Sequence, residues 1–177
     1  AGFPIIPFTD PLFVVDLSEP TALLVRGVLE VGDYSAYIHP LGDDHLLTVG
    51  VRTTANGAFD GLQLSIFDVA DADAPALTQR LLFGDQDSGS EALVERHAFT
   101  YFPELKTLAL PYQHMADDVV DQTALVVVDV DLDAGFRLRG LIDQLPLYTA
   151  SLETFDADVA SCGSVRRSIL MNDPVAG

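Results

Sequence analysis

One short pattern occurs three times in this chain: an apolar run, rich in β-branched and aromatic residues, that ends in an aspartate. The copies are LFVVD (12–16), LSIFD (64–68) and LVVVD (125–129), and each is followed closely by a second apolar run. The aspartates, Asp16, Asp68 and Asp129, are 52 and 61 residues apart. Spacings of this size indicate a fold built from one supersecondary unit that is used several times.

The rest of the chain has the apolar pattern of strands. Apolar residues alternate with polar ones or form short continuous runs, and no stretch has the i, i+3, i+4, i+7 spacing of an amphipathic helix. Turn-forming clusters such as Asn56-Gly57 separate the runs. The sequence therefore predicts an all-β protein, with strands at residues 12–17, 22–31, 34–40, 45–52, 62–69, 76–83, 92–101, 106–112, 123–130, 136–143 and 164–171.

Groups of four strands, with the repeated strand third, have about the length of β-propeller blades. The predicted organisation is a single β-propeller region over 1–177, with a half blade at 10–31, blades at 34–83 and 92–143, and a partial blade at 150–177. The run from Leu125 to Val128 is typical of an inner strand covered on both faces. Residues 136–142 alternate like an outermost strand, with Arg137 and Arg139 directed to water.

The blade count predicts open strand edges. Closed propellers have ~4–8 blades, so we expect these 177 residues to be a fragment of a larger propeller. Edge strands expose unpaired backbone groups that pair with other strands. We expect either that the first and last strands pair in one composite blade or that copies associate into a homo-oligomer.

Charge restricts the partners. The chain has 27 Asp and Glu residues against 9 Lys and Arg, a formal net charge of −18. This field repels phosphate backbones, so nucleic acid is not an expected partner. It would attract cations or basic proteins, although a solvated acidic surface is the simpler explanation. The sequence contains no apolar window of ~18 residues, so it predicts no transmembrane helix. Residues 1–8 lack the basic region of a secretory signal. The single cysteine, Cys162, allows no intrachain disulfide.

Two acidic loops are candidate calcium sites, because alternating carboxylates can converge on one hard cation. The loops contain Asp129, Asp131 and Asp133, and Asp85, Asp87 and Glu91. In the first loop the glycine comes one position late for a calcium-binding loop, and Gly140 stands where the last acidic ligand belongs. The alternative for each loop is a solvated turn.

Other catalytic signals are weak. The four histidines have no metal-ligand spacing, so we expect hydrogen-bonded structural residues, with His39 and His97 on predicted strands. The sequence contains no nucleophile elbow, phosphate loop or dinucleotide fingerprint. The repeated aspartates are explained by strand ends, where a carboxylate accepts hydrogen bonds from backbone N–H groups of the following turn.

Several spaced motifs together resemble one family. They are DPLFVVDLSEP (10–20), GDYSAYIHPLG (32–42), GLQLSIFDV (61–69), SEAL (90–93) and VRRSI (165–169). In this order they resemble bacterial and archaeal secreted proteins with a C-terminal β-propeller domain distantly related to WD40 repeats. The resemblance implies a β-propeller and a secreted or cell-envelope location, and it carries no catalytic residues over to this chain.

The sequence favours a non-enzymatic, exported propeller module that binds a protein or an extracellular polymer. One alternative is a calcium-dependent propeller hydrolase of the lactonase or esterase type, with acidic residues of different blades meeting at one ion. A structural cell-surface module is the other. Fold alone does not decide between them, because one fold carries many functions.

Overall fold

A computed structural model of the chain describes residues 11–117 and 119–146. Strands predominate in these residues, and the predicted all-β fold class is confirmed. The strands are β1 (Leu12–Asp16), β2 (Leu24–Leu29), β3 (Tyr34–Pro40), β4 (His45–Thr53), β5 (Phe59–Asp68), β6 (Ala76–Phe83), β7 (Ser88–Gly89), β8 (Thr100–Phe102), β9 (Thr107–Ala116), β10 (Val119–Asp131) and β11 (Gly135–Asp143). The predicted strand 164–171, the partial blade 150–177 and Cys162 lie outside the described residues.

The chain divides into two compact units. The first contains the described residues up to Gly89 together with Leu132–Phe136, and the second contains Ser90–Asp131 and the described residues from Arg137 onward. In the first unit, β3 to β6 form a four-stranded antiparallel sheet in chain order, and β1 and β2 form a separate two-stranded sheet. In the second, β8 to β11 are neighbours in chain order. The grouping of these sheets as blades of one ring stays a prediction.

The sequence repeat is also a repeat of backbone pairing. In β1 and in β5 the final aspartate pairs with the residue eight positions later, and a β-bulge lies between the two residues that precede the aspartate. In β5 and β10, the backbone N–H of the residue after the aspartate donates a hydrogen bond to a backbone carbonyl oxygen. That oxygen belongs to the residue just before the preceding strand of the sheet, β4 or β9 respectively. These bonds are Val69 N–H to Asp44 O and Val130 N–H to Lys106 O, both 2.8 Å. The three copies are therefore equivalent structural elements.

The core of the first unit lies on the two central strands of the four-stranded sheet. Leu47 and Val49 of β4 and Leu62, Leu64 and Ile66 of β5 are fully buried. In β5 all seven residues from 61 to 67 are buried, as expected for an inner strand covered on both faces. β6 instead alternates between exposed and half-buried side chains, which is typical of an outer strand.

The strand β10 differs from the inner strand predicted at Leu125 to Val128. Val126 and Val128 are buried, whereas Leu125 and Val127 are only half-buried. Successive side chains point to opposite faces of a strand. One face of β10 is therefore fully covered in the described part of the chain and the other only partly, so the prediction that both faces are covered was wrong.

The predicted strand at 92–101 was also wrong for most of its length. Two 3-10 turns, at Glu91–Leu93 and Arg96–Ala98, replace it, and only the short β8 remains. The side chain of Ser90 accepts a hydrogen bond from the N–H of Ala92 (3.2 Å), and that of Glu95 accepts one from the N–H of His97 (2.9 Å). Such local bonds compete with strand pairing, and they place His97 in a turn.

A substitution at Gly50 in β4 tests how closely the backbones of β3 and β4 approach each other. At the β-bulge of β3, a Cβ on Gly50 would lie 1.9 Å from the backbone oxygen of Tyr34. We expect Gly50→Ala to lower the free energy of unfolding by about 3 kcal/mol, because backbone atoms must move. Urea denaturation measures the change. Gly140→Ala in β11, where a Cβ meets nothing within 4 Å, is the control, and equal effects of the two variants would contradict this account.

Candidate functional site

The hairpin of β1 and β2 exposes an apolar surface. Phe13 pairs with Val28, and Val15 pairs with Val25, so these four side chains share one side of the hairpin. Between 41% and 55% of each is exposed. We call this set the hairpin face (Phe13, Val15, Val25 and Val28). Contiguous exposed apolar surface of this kind marks interaction sites in soluble proteins.

The opposite side of the hairpin packs against the turn between β5 and β6. A Cβ on Gly27 would lie 2.4 Å from the backbone oxygen of Ala72 and 2.6 Å from Cδ of Pro75, so only glycine allows this approach. Leu12, Val14 and Leu29 are half-buried. The packing fixes the hairpin on the first unit and leaves the hairpin face directed outward.

Arg26 joins the hairpin to the same turn. Its Nε and Nη2 donate to Oδ1 and Oδ2 of Asp73 at 2.7 and 2.6 Å, and its Nη1 lies 3.5 Å from Oδ2 of Asp16. The hydrogen bond from Arg26 lowers the pKa of Asp73. The pKa of Asp16 is lowered chiefly by the backbone N–H of Ser18, and Arg26 adds less. Arg26 therefore contributes more to the lowered pKa of Asp73 than to that of Asp16.

One edge of β1 has no neighbour in the described residues. β5 pairs with β4 and β6, and β10 pairs with β9 and β11, whereas β1 pairs only with β2. Among the residues that the structure describes, the edge that receives the preceding strand in the other two copies is therefore open in β1. Sequence reasoning predicted open edges at the half blade but did not find the hairpin face, because the apolar pattern of β1 matches that of its covered counterparts.

The first predicted calcium loop contains ion pairs. Oδ2 of Asp129 accepts from Nη2 of Arg137 at 2.5 Å, and Oδ1 of Asp129 lies 2.7 Å from Nη2 of Arg139. Both arginines are exposed, as predicted, but their guanidinium groups contact this carboxylate. Lys106 Nζ lies 3.3 Å from Oδ2 of Asp131, and Asp133 lies in the turn between β10 and β11. Calcium binding at this loop stays a prediction.

The second predicted calcium loop is a hydrogen-bonded turn. Oδ1 of Asp85 accepts from the backbone N–H of Asp87 at 3.0 Å and from Oγ of Ser88 at 3.1 Å. Glu91 begins the first 3-10 turn. The first carboxylate thus stabilises the turn itself. Whether this loop also binds calcium stays a prediction.

The predicted role of the repeated aspartates is confirmed for two copies. Asp16 accepts from the backbone N–H of Ser18 at 2.8 Å, and Asp68 accepts from that of Ala70 at 2.9 Å. For Asp129 the prediction was wrong, because β10 continues to Asp131 and the Asp129 carboxylate contacts Arg137 and Arg139 instead. Asp143, which lies outside the three repeated motifs, ends β11 in the same way, because its Oδ1 accepts from the backbone N–H of Leu145 at 2.8 Å.

Three histidines have the hydrogen-bond partners expected of structural residues. Nδ1 of His97 lies 2.6 Å from Oε1 of Glu95, and Nδ1 of His114 lies 2.5 Å from Oδ1 of Asp121. Nδ1 of His39 lies 3.5 Å from the Tyr37 hydroxyl, and partial burial lowers the pKa of His39. The predicted hydrogen bonds are thus present at these positions, and the absence of a metal-ligand role stays a prediction.

The family is decided by a match that covers nearly the whole chain: the model of the β-propeller domain matches residues 8–176. The chain belongs to the β-propeller domain family. An uncharacterised protein of Methanocaldococcus jannaschii is 32% identical to it over 145 residues, which are 81% of this chain and 22% of that protein. An uncharacterised protein of Archaeoglobus fulgidus is 36% identical over 91 residues, 51% of this chain and 13% of that protein.

The chain thus spans only a small part of both relatives, about a fifth of the first and less than that of the second. No solved structure matches the chain. In residues 11–117 and 119–146, no helix has the length and apolar character needed to cross a membrane. The relation to WD40 repeats and the secreted location stay predictions.

The contacts of Arg26 predict different titrations of its two carboxylate partners. In the propeller domain with Arg26→Gln, we expect the pKa of Asp73 to return toward its ordinary value, whereas Asp16 keeps a lowered pKa because Ser18 still donates to it. Carboxyl-carbon NMR titration measures both values. Equal upward shifts at the two aspartates would contradict the assigned causes.

Stability should follow these titrations. Because the folded pKa values of Asp16 and Asp73 are lowered, their contribution is present above the ordinary aspartate pKa and is lost as the pH falls through the folded values. Urea midpoints between pH 5 and pH 2 should therefore fall less steeply for Arg26→Gln than for the unchanged propeller domain.

At Asp129, calcium would compete with two guanidinium groups for the carboxylate. We therefore expect calcium to change the melting temperature of the propeller domain and of its Asp129→Asn variant equally, because ligand binding raises stability only where a site exists. Thermal melts in calcium, with magnesium at equal ionic strength as the control, measure this. A calcium-specific rise that Asp129→Asn abolishes would instead establish the first loop as a calcium site.

Proposed function

We propose that this propeller domain is a non-enzymatic binding module that takes an extended protein segment on the hairpin of β1 and β2. The observation that carries the proposal is the combination of the hairpin face with the edge of β1 that has no neighbour in residues 11–117 and 119–146. An open edge offers backbone N–H and C=O groups, and an apolar face beside it offers contacts for side chains. Addition of a strand to an exposed edge is a common mode of protein recognition.

The residues of β1 favour strand addition. Proteins protect exposed edges with Pro, Lys or inward charges, and the sequence from Leu12 to Val15 has none of these. Asp16, at the end of the strand, is held by Ser18 and Arg26 and lies outside the row of apolar side chains. The edge is therefore chemically suited to pair with another strand.

The repeat indicates which strand suits this edge. β1 has the same register toward β2 that β5 has toward β6. The other side of β5 pairs with β4, from His45 opposite Asp68 to Val51 opposite Leu62. A strand with the sequence of β4 is therefore the natural probe for the equivalent edge of β1.

The proposal includes an exported location, which rests on the family resemblance alone. An extracellular polymer and a second copy of the chain are the other ligands considered. A polymer has no backbone amide groups to pair with a strand edge, so the open edge favours a protein. Light scattering on the free chain distinguishes self-association from binding of another protein.

A labelled peptide with the sequence of residues 34–53, which contains β3 and β4, tests the proposal. We expect fluorescence anisotropy to show saturable binding to the full chain with a dissociation constant of roughly micromolar size. Phe13→Lys places a charge on the hairpin face and should weaken binding at least ~10-fold, because it costs about 1.4 kcal/mol or more.

Leu138→Lys is the matched control, because Leu138 is an exposed apolar residue of β11, at 57% exposure. This variant should bind the peptide like the unchanged chain. If the peptide does not bind, or if both lysine variants weaken binding equally, strand addition at β1 is refuted.

A further inference from the structure

The central part of one face of the four-stranded sheet is polar and yet buried. Thr48 pairs with Ser65, and Gly50 pairs both with Ser35 and with Gln63, so the polar side chains of these residues share one face. Thr48 and Ser65 have no exposed surface, and Gln63 is 2% exposed. We call this set the polar strip (Ser35, Thr48, Gln63 and Ser65).

An ion pair runs across the same face. Arg80 of β6 pairs with Ser65, which places its side chain on the side of the polar strip. Its Nη1 lies 2.8 Å from Oδ2 of Asp33, the residue that precedes β3. Since β3 and β6 are the two edges of the sheet, the pair connects them over the central strands. Asp33 is itself buried, and its Oδ1 also accepts from the backbone N–H of Thr53 at 3.2 Å.

The hydrogen-bond capacity of the polar strip exceeds what the described residues supply. Oγ of Ser35 lies 3.5 Å from Oγ1 of Thr48, which is a long bond. Within the part of the chain that the structure describes, Oγ of Ser65 and Oε1 of Gln63 are buried and have no hydrogen-bond partner. Buried polar atoms in proteins are nearly always bonded to protein or to ordered water.

The chemistry of the strip selects the ligand. Gln63 Oε1 needs a donor, while the Ser65 hydroxyl can donate and accept. The guanidinium group of Arg80 is already paired with the carboxylate of Asp33. The two charges compensate each other, so the face offers no net charge that would favour a cation or an anion. Water supplies a donor and an acceptor without charge, and it typically makes about three hydrogen bonds in such sites.

We propose that the polar strip binds ordered water between Gln63 and Ser65, under the ion pair of Arg80 and Asp33. The site is a hydration site inside the sheet packing, separate from the hairpin and independent of the proposed binding function. It explains why β5 places polar residues at 63 and 65 while its apolar residues at 62, 64 and 66 form the core.

Ser65→Ala tests the proposal through the sign of its effect. If the hydroxyl binds water, the variant removes a hydrogen bond, and we expect the urea midpoint to fall by about 0.5 M. If the site is dry, the variant removes an unsatisfied buried hydroxyl, and the midpoint rises. Ser35→Ala is the control. It breaks the bond to Thr48 and should lower the midpoint in either case.

A crystal structure of the unchanged chain provides a second, independent measurement. We expect an ordered water within about 3.2 Å of both Oγ of Ser65 and an amide atom of Gln63. The exchange of the amide oxygen and nitrogen does not affect this test, because either atom at that position needs a partner. A rise in the midpoint of Ser65→Ala, or a site without water density, would overturn the proposal.

Discussion

The pairing of β5 with β4 on one side and with β6 on the other determines most of the first unit. Because side chains alternate along a strand, this pairing directs Leu62, Leu64 and Ile66 to one face and Gln63 and Ser65 to the other. The core and the polar strip are thus two faces of one register. A slip by one residue would exchange them and bury the wrong side chains.

The strands that local sequence predicts well are those with strong apolar runs, such as LSIFD in β5. Their pairing is antiparallel with neighbours in the chain, so local pattern and turn positions suffice. The strand predicted at 92–101 was wrong because Ser90 and Glu95 cap short turns there. Each cap depends on the position of a single oxygen atom. The prediction that both faces of β10 are covered was wrong for a different reason. The coverage of a face depends on neighbouring elements and not on the strand itself.

The exposure of the hairpin face could not be predicted from local sequence, because it too depends on neighbouring elements. Val15 and Phe67 are equivalent positions of the repeat, yet Val15 is 41% exposed and Phe67 is 2% exposed. Both are apolar, and only the surrounding chain distinguishes them. The pairing of Arg26 with Asp73 spans 47 residues, so no spacing rule connects them. The polar strip follows the strand period, but its enclosure depends on Arg80 and Asp33.

The 3-10 turns explain how the spacing between repeats can vary. The second interval is longer than the first, 61 residues against 52, while the register one residue past the aspartate is conserved between β5 and β10. The additional length lies in the connection that contains these turns, between β6 and β9. An insertion between the two turns, at Val94, which is 84% exposed and belongs to no strand, would accordingly leave the strand pairings on either side of it unchanged.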